Sequence, residues 1–287
     1  MAVVEALWMR RWPGRLLALG VLLLALALCV DPAFATEPQP WEMGLQPGAT
    51  PVKARIHDLH NLLLVVATGI TLFVLGLLVY VIWRFSEKRN PVPSRTTHNT
   101  TIEVLWTVIP VVVLVVIAIP SFGLLYYMDR TPQADMTIKV TGRQWYWSYE
   151  YPDNGNIAFD SNVIQEEDLK PGQRRLLEVD NQLVVPVDTN IRVLVAGSDV
   201  MHSWFVPSLG VQMYAVIGRL NETWFNVNKE GVYYGQCNQI CGINHAFMPI
   251  AVHAVSKEAF ARWVEEAKTK YAKQDDTAPV RVAQAAE

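Results

Sequence analysis

The sequence predicts a two-helix transmembrane hairpin, followed by an all-β sandwich or barrel domain and a C-terminal helix. Two segments without charged residues are long enough to cross a bilayer, short runs rich in Val, Ile and aromatic residues recur after them, and an amphipathic segment comes last. The hydrophobic content of 51% over 287 residues is high for a soluble chain and agrees with a part embedded in lipid.

Residues 1–35 have the pattern of a secretory signal peptide. Three arginines precede an apolar run over residues 16–30, and small residues at positions 33 and 35 offer a cleavage site before Thr36. Cleavage there would also remove Cys29, leaving two cysteines in the mature chain. A lipoprotein signal and an uncleaved extra span are the alternatives. A lipoprotein signal usually has a small residue at the position of the bulky Leu28. The apolar run is short for a membrane span.

A membrane hairpin is predicted over residues 57–128, after an extended arm at residues 36–56 that is rich in Pro and Gly. Its two spans, residues 62–83 and 104–127, contain no charged residue and exceed the ~20 residues that a helix needs to cross a bilayer. The loop between them, residues 84–101, carries four basic residues and one acid, so the positive-inside bias places it in the cytoplasm. Two helices bury little of each other, so a larger membrane partner is expected besides lipid.

Residues 129–256 are predicted to form the β domain. Six short apolar segments bounded by Gly, Pro, Asn or Asp favour an antiparallel sandwich or barrel. These segments are residues 136–142, 175–181, 183–187, 190–196, 220–227 and 248–255. Residues 257–287 are expected to start as an amphipathic helix capped by Ser256 and to end in a polar, flexible tail. The apolar face of that helix consists of Phe260, Trp263, Val264 and Ala267.

The predicted β domain is acidic, because Asp and Glu outnumber Lys and Arg after Met128, while the whole chain has a net charge of −3. Such a surface attracts a basic partner. Ordinary solubility charge explains so small an excess equally well. No nucleic-acid partner is expected.

A loop over residues 235–249, with the sequence G-Q-C-N-Q-I-C-G-I-N-H-A-F-M-P, concentrates potential metal ligands. They are Cys237, Cys241, His245 and Met248. Thiolate, imidazole and thioether ligands together select copper over harder metals. A remote ligand is needed to complete the site, and His202 is the candidate because it follows a predicted strand. A disulfide between the two cysteines in an oxidising compartment is the alternative.

This loop resembles the binuclear copper A loop of cytochrome c oxidase subunit II, and the segment H-S-W-F-V-P-S-L-G that starts at His202 is similar to that family's second ligand segment. The resemblance extends from residue 46 to about residue 267. It implies a cupredoxin-like β domain, copper as the cofactor, and heme only in a partner subunit. It further implies electron transfer from cytochrome c to heme in subunit I, where O2 is reduced to water with proton translocation.

The same resemblance implies the partners and the location of the chain. Cytochrome c, oxidase subunit I and also subunit III are the expected protein partners. The expected site is a bacterial inner membrane, with the N-terminus, the copper domain and the C-terminus in the periplasm. The O2 chemistry resides in subunit I, so no catalytic acid, base or nucleophile is expected in this chain.

The ligand set of the family corresponds to six residues of this chain. They are His202, Cys237, the backbone carbonyl of Gln239, Cys241, His245 and Met248. Zinc would need four closed ligands without a thioether, and a single blue copper needs only one cysteine. Two cysteines with two histidines and a methionine suit two coppers bridged by both sulfurs, each capped by one histidine.

The chain departs from the family pattern at Gln239, where the family has glutamate. A backbone carbonyl is supplied equally well by Gln, so copper binding should survive. The family's glutamate side chain also reaches a magnesium or manganese ion at the boundary with subunit I, and a neutral amide is a poorer ligand for a hard dication. Gln212, Tyr214 and Ile217 stand where the family commonly has lysine, aspartate and proline. Interfacial magnesium is therefore doubtful, whereas electron transfer should be kept.

Two further residues receive roles from the resemblance. Trp145, in R-Q-W-Y-W-S-Y-E-Y, corresponds to the tryptophan that takes the electron from cytochrome c, and the alternative is packing in the core or its rim. Glu103 corresponds to the mouth of a proton-uptake path into subunit I, and the alternative is an acid favoured by the dipole of the first helical turn. Acids that would steer a basic cytochrome are Glu150, Asp153, Asp160 and Asp199.

Two other functions share parts of this pattern. A quinol-oxidase-type subunit II would be a membrane scaffold without copper, and it is disfavoured because such subunits lack the cysteine pair. A copper-binding assembly protein would use the same ligands without a heme-bearing partner. Copper content and co-purification with a heme protein distinguish these functions from an oxidase subunit.

Overall fold

The computed structural model describes residues 38–271, so the predicted signal peptide at residues 1–35 and the predicted tail beyond Tyr271 lie outside the described residues. Two long helices come first, α1 Pro51–Arg84 and α2 Thr100–Asp129. Both are long and apolar enough to cross a membrane, and they contain the two predicted spans. The first turns of α1 belong to the segment that the sequence predicts as an extended arm.

The early start of α1 is explained by its cap. Thr50 has an extended backbone, and its hydroxyl accepts the Lys53 amide at 3.0 Å. Pro51 follows at the first helical position, where its fixed φ favours the helix. The Thr50 hydroxyl also donates to the Leu209 carbonyl at 2.8 Å. The first turn of α1 is therefore bonded directly to the β domain.

Within residues 38–271, ten strands form two five-stranded sheets. In chain order they are β1 Met136–Arg143, β2 Tyr146–Tyr151, β3 Ile157–Ser161, β4 Leu183–Pro186, β5 Ile191–Gly197, β6 His202–Val206, β7 Val211–Ala215, β8 Asn221–Phe225, β9 Gly231–Cys237 and β10 Pro249–Val255. One sheet has the order β3-β2-β1-β5-β8 and the other β4-β10-β9-β6-β7. The residues between them form one apolar core, consistent with the expected cupredoxin-like sandwich.

The strand spacing predicts antiparallel sheets, but both sheets also contain a parallel strand pair. β1 pairs with β5 in parallel, and β4 pairs with β10 in parallel, while the other strand pairs described are antiparallel. A parallel pair needs a long crossover, and here three strands intervene between β1 and β5. Local spacing cannot show such a pairing, because the partners are remote in sequence.

Residues 175–181, predicted as a strand, form a turn followed by one isolated bridge between Val163 and Val179. Leu176 has a φ of +63°, which is incompatible with a strand. The Asp180 carboxylate accepts the Asn162 amide at 2.7 Å. Side-chain bonding of this kind competes with a sheet ladder, so the apolar residues of the segment do not continue as a strand.

The final helix, α3 Lys257–Tyr271, follows the predicted pattern. The Ser256 hydroxyl accepts the Ala259 amide at 3.2 Å, as expected of a cap. Phe260, Val264 and Ala267 are buried, and the Trp263 ring lies 5.1 Å from the ring of Tyr151. The helix therefore closes one side of the aromatic core.

Tyr151 joins the two sheets through its hydroxyl. The side chain is fully buried, and its oxygen donates to the Val184 carbonyl at 2.9 Å and accepts the Val184 amide at 3.0 Å. Val184 belongs to β4, an edge strand whose other side pairs with β10. One phenol thus satisfies two backbone groups that the sheet leaves unpaired.

We expect Tyr151→Phe to destabilise the β domain by about 1–3 kcal/mol, because it leaves a buried N–H and a buried C=O without partners. Tyr214→Phe is the matched control, since Tyr214 is 43% exposed on β7. Thermal unfolding of the detergent-solubilised chain, followed by near-ultraviolet circular dichroism, measures the difference. Equal melting temperatures for the two variants would contradict the role given to the phenol.

Candidate metal centre

The predicted ligands lie at the ends of neighbouring strands. Cys237 is the last residue of β9, and His202 is the first residue of β6. β6 and β9 are paired, with Trp204 opposite Cys237. β10 pairs with the other side of β9, and Met248 directly precedes it. Strand pairing therefore brings the remote histidine and both ends of the loop to one edge of the sheet.

The donor atoms of the predicted site form one cluster. The sulfurs of Cys237 and Cys241 lie 3.9 Å apart, and with a His202 nitrogen they fall within 4.8 Å of one another. The other predicted ligands surround the sulfurs as follows. His245 Nδ1 and Met248 Sδ each lie 3.5 Å from Cys241 Sγ. The Gln239 carbonyl oxygen lies 3.3 Å from Cys237 Sγ. The structure thus brings together all six predicted ligands.

Both cysteines are free thiols and both are buried. Their sulfur separation of 3.9 Å is far from the ~2.05 Å of a disulfide bond. The disulfide alternative is therefore not the state of this structure. Met248 is 1% exposed and His202 is fully buried, so most of the donor set is shielded from water.

His202 is oriented by Asp199. Its Nε2 lies 2.9 Å from Asp199 Oδ1, which leaves Nδ1 directed at Cys237 Sγ, 3.9 Å away. The Asp199 carboxylate also accepts the amides of Gln144 and Val200, each at 2.6 Å. A carboxylate that fixes the far nitrogen of a histidine is a common support for a metal ligand. Asp199 was predicted only as a steering acid, although its place three residues before His202 could have indicated this contact.

Gly142 provides the space for the His202 ring. A Cβ at this position would lie 2.8 Å from the imidazole Cδ2. Sequence reasoning missed Gly142, because β1 and the start of β6 are remote in sequence.

The two thiols differ in acidity. Burial alone raises the pKa of Cys237, but hydrogen bonds with His202 and the backbone of Ser203 outweigh it and hold that pKa below its usual value. Burial, reinforced by the charge on Cys237, raises the pKa of Cys241 well above its usual value. Cys237 is therefore the thiol that loses its proton first, and a bound cation would favour loss of the proton from Cys241.

Trp145 is partly buried at the rim of the core and also lies against the loop. Its indole N–H donates to the Cys241 carbonyl at 3.2 Å, and the Gln144 side-chain amide donates to the same oxygen at 2.9 Å. A Cβ on Gly242 would lie 2.9 Å from the indole, so this glycine permits the contact. The half-buried Trp145 reaches the surface, whereas Trp147 two residues later is fully buried.

Glu103 is not part of this cluster. It lies in the first turn of α2, where its carboxylate accepts the Asn99 amide at 3.2 Å. The Asn99 side chain in turn accepts the Ile102 amide at 3.2 Å. This reciprocal capping gives Glu103 a structural role at the helix start.

The remaining predicted acids have partners within the domain. Glu150 pairs with Lys139 at 2.9 Å, Asp153 accepts the Thr137 amide, and Asp160 accepts the Ser148 hydroxyl. Steering of a partner by these acids stays a prediction.

Two family models match this chain. The one described as cytochrome C oxidase subunit II, periplasmic domain, matches residues 136–255, and the one described as the transmembrane domain of the same subunit matches residues 38–124. A Rickettsia bellii protein named probable cytochrome c oxidase subunit 2 is 54% identical over 244 residues, which cover 85% of this chain and 91% of the relative. Cytochrome c oxidase subunit 2 of Oenothera berteroana is 52% identical over 249 residues, with coverages of 85% and 94%.

Two solved structures are similar in sequence to half of this chain. The periplasmic domain of subunit II of cytochrome oxidase from Bradyrhizobium japonicum is 55% identical, covers 50% of this chain and 99% of its own, and superposes with a TM-score of 0.47. A mixed disulfide intermediate between a thioredoxin-like protein and subunit II of cytochrome c oxidase is 54% identical, with coverages of 50% and 96% and a TM-score of 0.44.

Asp199→Asn should lower the affinity of the site for copper about 10–100-fold, because it weakens the contact that orients His202. Asp160→Asn is the control, since it removes the same charge from a residue bonded to Ser148. Competition with a copper chelator measures both affinities. If the two variants bind copper equally well, Asp199 acts only through surface charge and its positioning role is wrong.

Proposed function

Because the chain belongs to the cytochrome c oxidase subunit II family, we propose that it accepts electrons from cytochrome c at a binuclear copper A centre and passes them to heme in subunit I. There O2 is reduced to water with proton translocation. The observation that carries this proposal is the convergence of two free thiols and a buried histidine within 4.8 Å, with three further donors around them. The chain is thus a subunit of an oxidoreductase complex whose oxygen chemistry we assign to its partner.

The residues present fit a pair of coppers. Cys237 and Cys241 would hold the coppers through their sulfurs, His202 and His245 through Nδ1 atoms that each face a sulfur, and Met248 through its soft thioether. The Gln239 carbonyl supplies one harder ligand beside Cys237. When bound, copper supplies one-electron redox chemistry, which no side chain of this set provides.

The protein's own contribution is orientation and exclusion of water. The Asp199 contact holds His202 in one tautomer, with Nδ1 free to ligate. The buried sulfurs and Met248 form a site of low polarity, which strengthens every charge interaction inside it. Held in place before the metal binds, these donors need little rearrangement when a charge is added or removed.

Trp145 is proposed as the residue through which the electron arrives. Its half-buried indole touches the surface on one side and the Cys241 carbonyl on the other, so a single side chain spans the distance from a docked protein to a cysteine ligand. Exposed Ile243 and Phe247 lie on the same loop and offer an apolar contact for that protein.

We propose that the chain lies in a bacterial inner membrane with the β domain, residues 129–256, in the periplasm. The basic residues of the loop at 84–101 support this orientation by the positive-inside rule. Residues 57–128 then form the hairpin that meets lipid and subunits I and III. Residues 257–287 carry α3 and the tail on the periplasmic side.

Glu103 is proposed to stand at the entrance of a proton path into subunit I. Glu103 is partly exposed in the first turn of the long apolar helix α2, so its carboxylate lies where the predicted span begins. Glu103→Gln should slow turnover of the intact oxidase while copper content stays constant. Unchanged turnover would leave Glu103 with its capping role alone.

An interfacial magnesium ion is not expected in this protein. Gln239 turns its carbonyl toward Cys237, and its neutral side chain is a weak ligand for a hard dication. Gln212 and Tyr214 present neutral, exposed side chains on β7. Stoichiometric magnesium bound through Gln239 in the purified complex would overturn this proposal.

A copper-free quinol-oxidase-type scaffold is disfavoured by the same donor cluster, since six converging ligands would have no use in it. A copper-binding assembly protein remains the second candidate, favoured only by the ligand set itself. Co-purification with a heme-bearing membrane partner separates it from the oxidase subunit.

Cys237→Ser or Cys241→Ser should abolish the binuclear centre, because a hydroxyl that stays protonated cannot replace a thiolate that would hold the copper. Copper analysis and spin resonance of the reconstituted chain are expected to show a coupled pair in the parent and its loss in both variants. Ser203→Ala is the control, because this buried hydroxyl has no hydrogen-bond partner among the described residues. Parent protein that binds no copper, or a single ion, would refute the proposed function.

Trp145→Phe should reduce electron uptake from cytochrome c about tenfold, equivalent to about 1.4 kcal/mol of barrier, while copper content and its spectrum stay unchanged. Stopped-flow reduction of the intact oxidase by reduced cytochrome c measures this rate. Tyr146→Phe, one residue later, should react like the parent. A Trp145 variant with the parent rate would remove this residue from the electron path.

A further inference from the structure

Trp147 contacts two of the segments that carry the predicted metal ligands, although it belongs to neither. It lies on β2, its side chain is fully buried, and its indole N–H donates to the Met248 carbonyl at 3.3 Å. Its ring also meets the imidazole of His202 edge-on, with the ring centres 6.0 Å apart. One side chain from outside the loop at residues 235–249 therefore connects the ligand on β6 with the last ligand of the loop.

The place of Trp147 beside His202 is fixed by its neighbour on β1. Gly142 and Trp147 lie opposite each other in the paired strands β1 and β2. A Cβ at Gly142 would lie 2.8 Å from the His202 ring, so the small residue leaves the space that the imidazole occupies. Asp199 holds the far nitrogen of the same ring at 2.9 Å. The Trp147 ring is thus set against a histidine that cannot easily move.

The Met248 carbonyl accepts hydrogen bonds from two donors. The Cys237 amide donates to it at 3.3 Å from within the loop, and the Trp147 indole donates to it from β2. Met248 is 1% exposed, so water does not replace either donor. Without the indole N–H, Cys237 would be the one remaining donor to this carbonyl among residues 38–271.

Met248 is the predicted ligand whose position depends most on the protein around it. A thioether is an uncharged and weak copper ligand, and it stands on an unbranched side chain with several rotatable bonds. Its Sδ lies 3.5 Å from Cys241 Sγ. A weak methionine ligand tunes the reduction potential of a copper site, so a contact that fixes the Met248 backbone also acts on that potential.

We propose that Trp147 is a positioning residue of the metal centre, which holds Met248 in place as a ligand and thereby keeps the reduction potential of the copper pair low. This inference rests on the proposed function, because it needs copper at the site. The role differs from that of Trp145, whose indole N–H donates to the Cys241 carbonyl and whose half-buried ring reaches the surface.

The test replaces Trp147 in the full-length chain, which is loaded with copper in detergent and titrated for its reduction potential. Trp147→benzothienylalanine, made by stop-codon suppression, keeps the shape of the indole but has sulfur in place of the N–H. The thioether of Met248 should then donate less to the oxidised coppers. We expect the reduction equilibrium to shift about tenfold toward the reduced pair, a rise of about 59 mV for one electron. The copper hyperfine splitting in spin resonance should change as well, and Trp147→Phe should act in the same direction.

Met248→Leu provides the comparison that tests the route of this effect, because Leu has nearly the volume of Met but no ligand atom. If Trp147 acts through Met248, replacing Trp147 should have little further effect on the potential of the Met248→Leu chain. An equal shift in both backgrounds would show that Trp147 acts in another way, and it would overturn the proposal.

Tyr151→Phe is the matched control. Tyr151 lies on the same strand and the same buried face as Trp147, and its hydroxyl bonds to Val184 rather than to a metal ligand. This variant should melt at a lower temperature but keep the potential and the spectrum of the parent. The same rise in potential for Tyr151→Phe would assign the effect to a loosened core and contradict a specific role of Trp147.

Copper stoichiometry separates this inference from the proposed function. A parent chain with two coppers, together with an unchanged potential in both Trp147 variants, would refute the positioning role alone. A parent chain that holds no copper pair would refute the proposed function, and the positioning role with it. Trp147 variants that keep both coppers at a raised potential would support both.

Discussion

The pairing of β9 with β6 on one side and with β10 on the other sets the position of the metal ligands. The Cys237 amide donates to the Met248 carbonyl at 3.3 Å, and the Asn238 amide donates to the Ser203 carbonyl at 3.0 Å. The first bond closes the loop between Cys237 and Met248, and the second ties its start to the strand of His202. Donor atoms on a mobile loop would bind a metal more weakly, because ordering the loop costs conformational entropy. Here the sheet has already ordered them.

This arrangement brings soft sulfur and nitrogen donors together in a buried site that is shielded from water. Asp199 holds His202 beside Cys237, and this hydrogen bonding outweighs burial in the pKa of the Cys237 thiol, whereas burial and the nearby charge of Cys237 raise the pKa of the Cys241 thiol. Bringing a cation to the site reverses that balance, since both thiols then lose their protons. Metal binding and proton release are therefore coupled, and the folded domain gains stability from the metal because the unfolded chain has no such cluster.

Local patterns in the sequence predicted the features that depend on neighbouring residues. The two spans follow from composition, and the cluster of Cys237 to Met248 follows from spacing within one loop. Contacts between remote segments were not predictable in this way. The Asp199 contact, the parallel pair of β1 with β5, and the turn at residues 175–181 each result from tertiary bonding that overrides local preference. His202 could be named from its place after a predicted strand and from the resemblance, which supplied a long-range contact, and the structure places it beside Cys237.

The arm connects these features to the membrane. The Ala49 amide donates to the Ser208 carbonyl at 3.0 Å, and the Asn228 amide donates to the Ala49 carbonyl at 3.0 Å, so one residue joins the start of α1 to two loops of the β domain. Gln46 accepts the Ser208 hydroxyl at 3.0 Å as well. A β domain fixed in this way keeps the metal ligands at a constant height above the bilayer. Under the proposed function, a constant height also fixes the distance between the metal ligands and the acceptor of their electrons.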